Sequence, residues 1–253
     1  MDIYDEIVKL RREGRNFSLA TIVQCDGSTP QKTGAKMLVR DDGSIFGTIG
    51  GGSLEAEVIK SALIVMKDGA PMTVPFELTE NQGHLVCGGT VLVYIEPVTA
   101  APHIIILGAG HVGKALITVG KVLGFTVTVV DDREEYANRA NMPQADNIVV
   151  VDFLNVFSKV VVKKSSYIVI ATRGHDHDFD AVKAALHTDA EYIGLLGSKR
   201  KRSLVLKNLE AEGFSQDDIK RVIIPVGLPI GSVTPEEIAI SIMAQIIQMR
   251  NVK

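Results

Sequence analysis

The run Gly108-Ala-Gly-His-Val-Gly113 follows an apolar stretch, 103–107, and matches G-x-G-x-x-G at Gly108, Gly110 and Gly113. Each glycine has a chemical use. The first allows a sharp exit from a strand, the second a close approach of backbone to a pyrophosphate, and the third tight packing of a helix on a sheet. A helix opening at His111 offers free N–H groups and partial positive charge to an anion. Asp131 lies eighteen residues past Gly113, where the next strand should end, and Asp132 follows it. A carboxylate in that place accepts hydrogen bonds from ribose hydroxyls and favours NAD over NADP, whereas the nearby Arg133 pulls the other way. The alternative is a turn of the same shape that binds no dinucleotide.

Three further stretches carry candidate chemistry. Arg173-Gly-His-Asp-His-Asp178 follows a predicted strand, where ligands of open α/β sheets collect. His175 and His177 are candidates for proton transfer, and with Asp176 for metal ligation, although the spacing matches no standard zinc pattern. The plainer reading is a polar loop whose Asp178 caps the next helix. Gly197-Ser-Lys-Arg-Lys-Arg202 also opens a helix after a strand. Its backbone, Ser198, Lys199 and Arg200 make either a phosphate site or a solvated basic helix start. Gly50, Gly51 and Gly52 precede Ser53 and leave the backbone bare, as a cofactor oxygen needs. Cys87, before Gly88 and Gly89, is a reactive thiol or a small buried residue.

The elements that must position these residues fall into two groups. The spacing predicts a helix over 2–13, strands at 17–24, 36–40 and 44–49, and a helix from Ser53, its N-cap, to about Lys67. Asp41-Asp42-Gly43 marks a hairpin. Strands follow at 72–78 and 90–96. Residues 97–102 form a short linker. Beyond it, apolar strands at 103–107, 125–130, 147–151, 167–171 and 192–196 alternate with helices from His111, from Asp180 and after Arg202. A short strand at 221–225 and a last helix from Thr234 end the series. The expected fold class is α/β: an N-terminal α+β domain over 1–98, then a Rossmann-like doubly wound parallel sheet over 103–253.

The chain has 253 residues, 46% of them hydrophobic and 23% charged, with a net charge of −3. That length holds two modest cores, and that charge gives no general attraction to nucleic acid. No apolar run reaches the length of a membrane span. The first residues alternate charged and apolar types without a secretory apolar segment, so a cytoplasmic location is expected. With two cysteines, Cys25 and Cys87, a cysteine-only zinc site is excluded and a disulfide framework is not expected.

Taken together, the motifs resemble the XdhC/CoxI family, the xanthine dehydrogenase accessory factors. The runs Gly27-Ser-Thr-Pro-Gln-Lys-Thr-Gly-Ala-Lys-Met-Leu-Val39, Gly43-Ser-Ile-Phe-Gly-Thr-Ile-Gly-Gly-Gly-Ser-Leu-Glu-Ala-Glu57 and Cys87-Gly-Gly89 are similar to its N-terminal domain. The glycine turn, Val130-Asp-Asp-Arg-Glu-Glu-Tyr-Ala137, Thr172-Arg-Gly-His-Asp-His-Asp178, Ile193-Gly-Leu-Leu-Gly-Ser-Lys-Arg-Lys201 and Thr234-Pro-Glu-Glu-Ile-Ala239 resemble its Rossmann domain.

The resemblance implies an accessory protein, a homodimer, that binds molybdenum cofactor as cargo. It would assist sulfuration, with a cysteine desulfurase as a further partner, and deliver the cofactor to a xanthine dehydrogenase-type molybdenum hydroxylase. The cofactor would meet Gly50–Ser53 and the surroundings of Cys87, and its pterin phosphate would lie on either glycine turn. Many family members carry cysteine after the three glycines; this chain carries Ser53, a poorer ligand for a soft, sulfur-rich centre and no carrier of persulfide. Two rivals stand beside this expectation. One is an NAD(P)-dependent oxidoreductase with His111, His175 or His177 as proton donor. The other is a nucleotide-sensing module without chemistry.

Overall fold

A computed structural model describes residues 2–78, 88–163, 166–190 and 192–251. The chain divides into two compact units, Met1–Ala101 and Pro102–Lys253.

The first unit opens with helix α1 (Ile3–Arg12), started by a capping box in which the Asp2 and Asp5 carboxylates each accept the other's backbone N–H. Strands β1 (Phe17–Asp26), β2 (Lys36–Arg40), β3 (Ile45–Gly47), β4 (Met72–Glu77) and β5 (Thr90–Val98) form one antiparallel sheet in the order β3-β2-β1-β5-β4. Helix α2 (Gly52–Asp68) lies between β3 and β4 in the chain. It buries Leu54, Val58, Ala62 and Val65 against Ala20, Ile22, Val91 and Val93 of the sheet. Helix α1 packs Leu10 on Phe17 and Leu38 in a separate cluster.

The second unit is a six-stranded, wholly parallel sheet. Its strands are β6 (His103–Leu107), β7 (Thr126–Asp131), β8 (Asn147–Val150), β9 (Ser166–Ile170), β10 (Tyr192–Leu195) and β11 (Val222–Ile223). Their order is β11-β10-β9-β6-β7-β8. The chain runs outward one way from β6, then returns to β9 and runs outward the other way. The carboxyl ends of β6 and β9 therefore flank the switch point where such sheets bind ligands. Helices α3 (His111–Val122) and α7 (Pro235–Asn251) share one core cluster with the sheet. Helices α4 (His175–Leu186), α5 (Lys199–Ala211) and α6 (Gln216–Lys220) share another. Helix α7 starts as expected: Glu237 accepts from the N–H groups of Val233 and Thr234, and its own N–H donates to the Thr234 hydroxyl.

The fold class is the expected one, and the differences are local. Helix α4 begins at His175, five residues before the expected start, because Gly174 serves as N-cap and Asp176 and Asp178 suit the positive end of the helix. Helix α6 and a turn of 3₁₀ helix at Val156–Ser158 are too short to leave a periodic signal. Among the described residues no helix is long and apolar enough to cross a membrane.

Candidate functional site

In the first unit the site grows from the connection between β3 and α2. Gly50, Gly51 and Gly52 have φ values of +139°, +80° and +64°. Only glycine takes such values without strain, which accounts for three in a row. The same conformation makes Gly51 the helix N-cap, correcting the expectation for Ser53. Ser53 sits exposed in the first turn of α2.

The loop is pinned by one carboxylate oxygen, Glu55 Oε1. It accepts from the Thr48 hydroxyl at 2.5 Å, the Gly51 N–H at 3.0 Å and the Ile49 N–H at 3.2 Å. The Gly50 N–H donates to Thr48 Oγ1 at 3.2 Å. Among the described residues, no group accepts from the N–H of Gly52 or Ser53.

A second loop meets this one at Pro30, and a third meets the second at Ser28. A Cβ on Gly50 would lie 2.6 Å from the Pro30 side chain, and a Cβ on Gly89 would lie 2.5 Å from the carbonyl oxygen of Ser28. Residues 26–30, just past the end of β1, thus touch Gly50 on one side and Gly89 on the other. Cys25 lies at this end, half-buried, its Sγ 3.6 Å from the Gln31 carbonyl oxygen. Cys87 lies outside the described residues.

In the second unit the glycine turn joins β6 to α3. Gly108 has φ +122°, and a Cβ there would lie 2.2 Å from the carbonyl oxygen of Ala171, so the β6 and β9 loops touch at this residue. Gly113 packs as closely on Gly108. Gly110 is the N-cap of α3 and faces open space, and His111 is exposed beside it.

Asp131 ends β7 at the expected place and is held by protein donors. It is 2% exposed. Its Oδ2 accepts from the Ala109 N–H at 2.8 Å and Arg133 Nη2 at 3.1 Å, and its Oδ1 from the Arg133 N–H at 3.1 Å and Nε at 2.9 Å. The carboxylate engages its own turn and its neighbour, not open solvent. Burial works to raise its pKa, but the Arg133 guanidinium and the Ala109 N–H outweigh it and hold the carboxyl below the usual range. Asp132 binds Arg173 Nη2 through Oδ2 at 2.8 Å, joining the end of β7 to the loop after β9.

His175 and His177 lie two residues apart in the first turn of α4 and have different neighbours. On a helix, residues two apart face different sides. His177 accepts from Arg173 Nε at 3.3 Å and packs edge-on against Phe153. His175 and Asp176 line a cleft of about 220 Å³ between α4 and α5, with Phe179, Leu204 and Asn208. Among the described residues, no three His, Cys, Asp or Glu side chains come together to hold a metal ion.

The run at 197–202 supplies a residue that the spacing did not single out. Lys201 folds back along Gly197, donates to the Leu196 carbonyl at 3.0 Å, and forms an ion pair with Asp178. Asp178, 1% exposed, also accepts the Thr172 hydroxyl at 2.7 Å. Asp178 therefore joins two loops at the sheet's carboxyl edge. Ser198 caps α5 by accepting the Lys201 N–H at 3.3 Å, while Lys199 and Arg200 are exposed. A lysine three residues past a helix-capping serine was the available signal for Lys201, and four consecutive cations obscured which of them turns inward.

An antiparallel unit with a central sheet and helices α1 and α2 is followed by a parallel, Rossmann-like unit, a two-part α/β class of protein. The model of the XdhC Rossmann domain matches residues 104–246, and that of the XdhC and CoxI family matches residues 10–77. The chain belongs to the XdhC and CoxI family. It is 34% identical over 255 residues to the uncharacterized protein YqeB of Escherichia coli K12, covering 99% of this chain and 47% of that one. The chain thus spans about half the length of that relative. It is 21% identical to the molybdenum cofactor insertion chaperone PaoD of Escherichia coli K12, covering 96% of this chain and 86% of PaoD. Among solved structures, a xanthine dehydrogenase from Bacillus halodurans aligns over 100% of this chain and 97% of its own, with a TM-score of 0.55 and 25% identity.

Proposed function

We propose that this protein is an accessory factor that binds molybdenum cofactor and delivers it to a xanthine dehydrogenase-type molybdenum hydroxylase. The observation that carries the proposal is the bare glycine loop at Gly50–Ser53, packed at Gly50 on Pro30 of the loop that in turn meets Gly89, where the N–H groups of Gly52 and Ser53 have no acceptor among the described residues. Such a site suits the anionic oxygens of a pterin phosphate or of the metal's oxo ligands. Family membership and the similarity to PaoD support the same cargo.

Ser53 shapes the chemistry. A hydroxyl neither carries persulfide nor competes for a soft metal, so this position binds and orients, and sulfuration draws its sulfur from a partner cysteine desulfurase. The family resemblance extends the proposal to a homodimer working in the cytoplasm. An NAD(P)-dependent oxidoreductase has less support, because Asp131 is occupied by protein donors and the two histidines of α4 face apart.

The test incubates the chain with molybdenum cofactor, NADH and NADPH separately and measures the ligand retained after gel filtration. Wild type should retain molybdenum cofactor, and Ser53→Cys should retain it at least as well. Retention of pyridine nucleotide alone would sink the accessory role.

A further inference from the structure

Asp131 stands where an acid at the end of the second Rossmann strand recognises the ribose of a dinucleotide. A carboxylate offers about four acceptor positions. Here four protein donors use them: the backbone N–H groups of Ala109 and Arg133, and the Nε and Nη2 of Arg133. The two side-chain donors arrive as a parallel pair, one on each oxygen, which is how the two hydroxyls of a ribose diol would meet the same carboxylate. The guanidinium also lies over the Tyr136 ring, its carbon 3.7 Å from the ring centre, but its hold on Asp131 comes from the hydrogen bonds.

We infer that Arg133 is a specificity-determining residue that stands in for the ribose diol at Asp131 and denies the glycine turn a nicotinamide dinucleotide. A ribose must displace a paired, charge-assisted contact with two neutral hydroxyls, which bind a carboxylate more weakly. The usual alternative, an arginine receiving a 2′-phosphate, is opposed as well. The Nε and Nη2 of Arg133 are on Asp131, and Asp132, Glu134 and Glu135 adjoin it with negative charge. What remains open at the turn is the backbone around Gly110, which suits a phosphate whose carrier is not recognised through a ribose. This inference concerns the Rossmann unit by itself and stands apart from the accessory role.

The test measures NADH and NADPH binding to the whole chain by nucleotide fluorescence and calorimetry. Wild type should show no saturable binding up to about 1 mM. Arg133→Ala removes the two side-chain donors and leaves both backbone donors, so NADH should bind at least about tenfold more tightly than to wild type. Arg133→Lys keeps the charge without the fork and should fall between the two. Tyr136→Ala leaves the guanidinium on Asp131 and should gain nothing. Saturable micromolar binding by wild type, or no gain in a variant at 133 whose circular dichroism and melting match wild type, would overturn the inference. Molybdenum cofactor retention, measured in parallel, reports on the accessory role whatever the nucleotide result.

Discussion

Glu55 and Gly51 are joined by a 3.0 Å hydrogen bond from the glycine N–H to the carboxylate Oε1. The same oxygen takes the Thr48 hydroxyl and the Ile49 N–H, so one side chain from the first turn of α2 sets the shape of the loop that leads into that helix. The acid therefore holds the loop through Thr48, Ile49 and Gly51 and does not accept from the N–H groups of Gly52 and Ser53.

Substitution of Glu55 should separate geometry from charge. Glu55→Gln keeps an acceptor oxygen and should leave molybdenum cofactor retention within a few-fold of wild type. Glu55→Ala loses all three bonds and should lower stability by about 1–3 kcal/mol in urea denaturation and abolish retention. Equal retention by the two variants would remove Glu55 from any positioning role.

The two ends of the Gly108–Gly110 turn should respond oppositely to a methyl group. Gly108→Ala combines φ +122° with a carbonyl 2.2 Å from the new Cβ and should cost at least about 2 kcal/mol of stability. Gly110→Ala meets open space at φ −80° and should cost less than about 1 kcal/mol. Gly110→Val should likewise leave the unit folded while blocking any ligand that lies on the turn. Thermal melting and phosphate-ligand titration of the three variants check this.

Lys201→Met should be among the most damaging single changes away from the apolar core. It leaves the Asp178 carboxylate buried without its cation, a loss of about 3–5 kcal/mol. Asp178→Asn combined with Lys201→Met should recover part of that loss. A strictly additive double-mutant cycle would show that the ion pair contributes nothing.

His103 gives the protein a pH dependence of known sign. Its ring lies between Thr128 and Ser166, and burial, reinforced by the charge of Lys163, pushes its pKa down to about 4 from 6.5. Between those values the unfolded chain holds a proton that the folded chain lacks, so stability falls as pH falls through that window. At pH 5 the loss should be about 2 kcal/mol relative to pH 7. His103→Gln should flatten this slope. The buried carboxylate Asp131, held below its usual range, loses its contribution only at lower pH, and the difference between wild type and His103→Gln in urea midpoints at pH 7 and 5 reports the histidine.

The sequence by itself determined the two units, the alternation of strand and helix in the second, and the places where the chain leaves strands through glycine. These are local properties: apolar periodicity, hairpin chemistry and the demand for positive φ are written in neighbouring residues. What only the tertiary structure decided is which polar side chains point at one another. Asp131 carries the position of a ribose acceptor, but its donors come from a turn 22 residues away and from Arg133, and nothing in the spacing reveals that the carboxylate is filled. His175 and His177 look like a pair until Gly174 starts a helix and turns them apart. Asp178 and Lys201 lie on separate helices and meet because β9 and β10 run side by side. Hydrogen bonding and ion pairing act over about 3 Å. Partners distant in the chain are therefore assigned by strand order and register, which the whole sheet sets together.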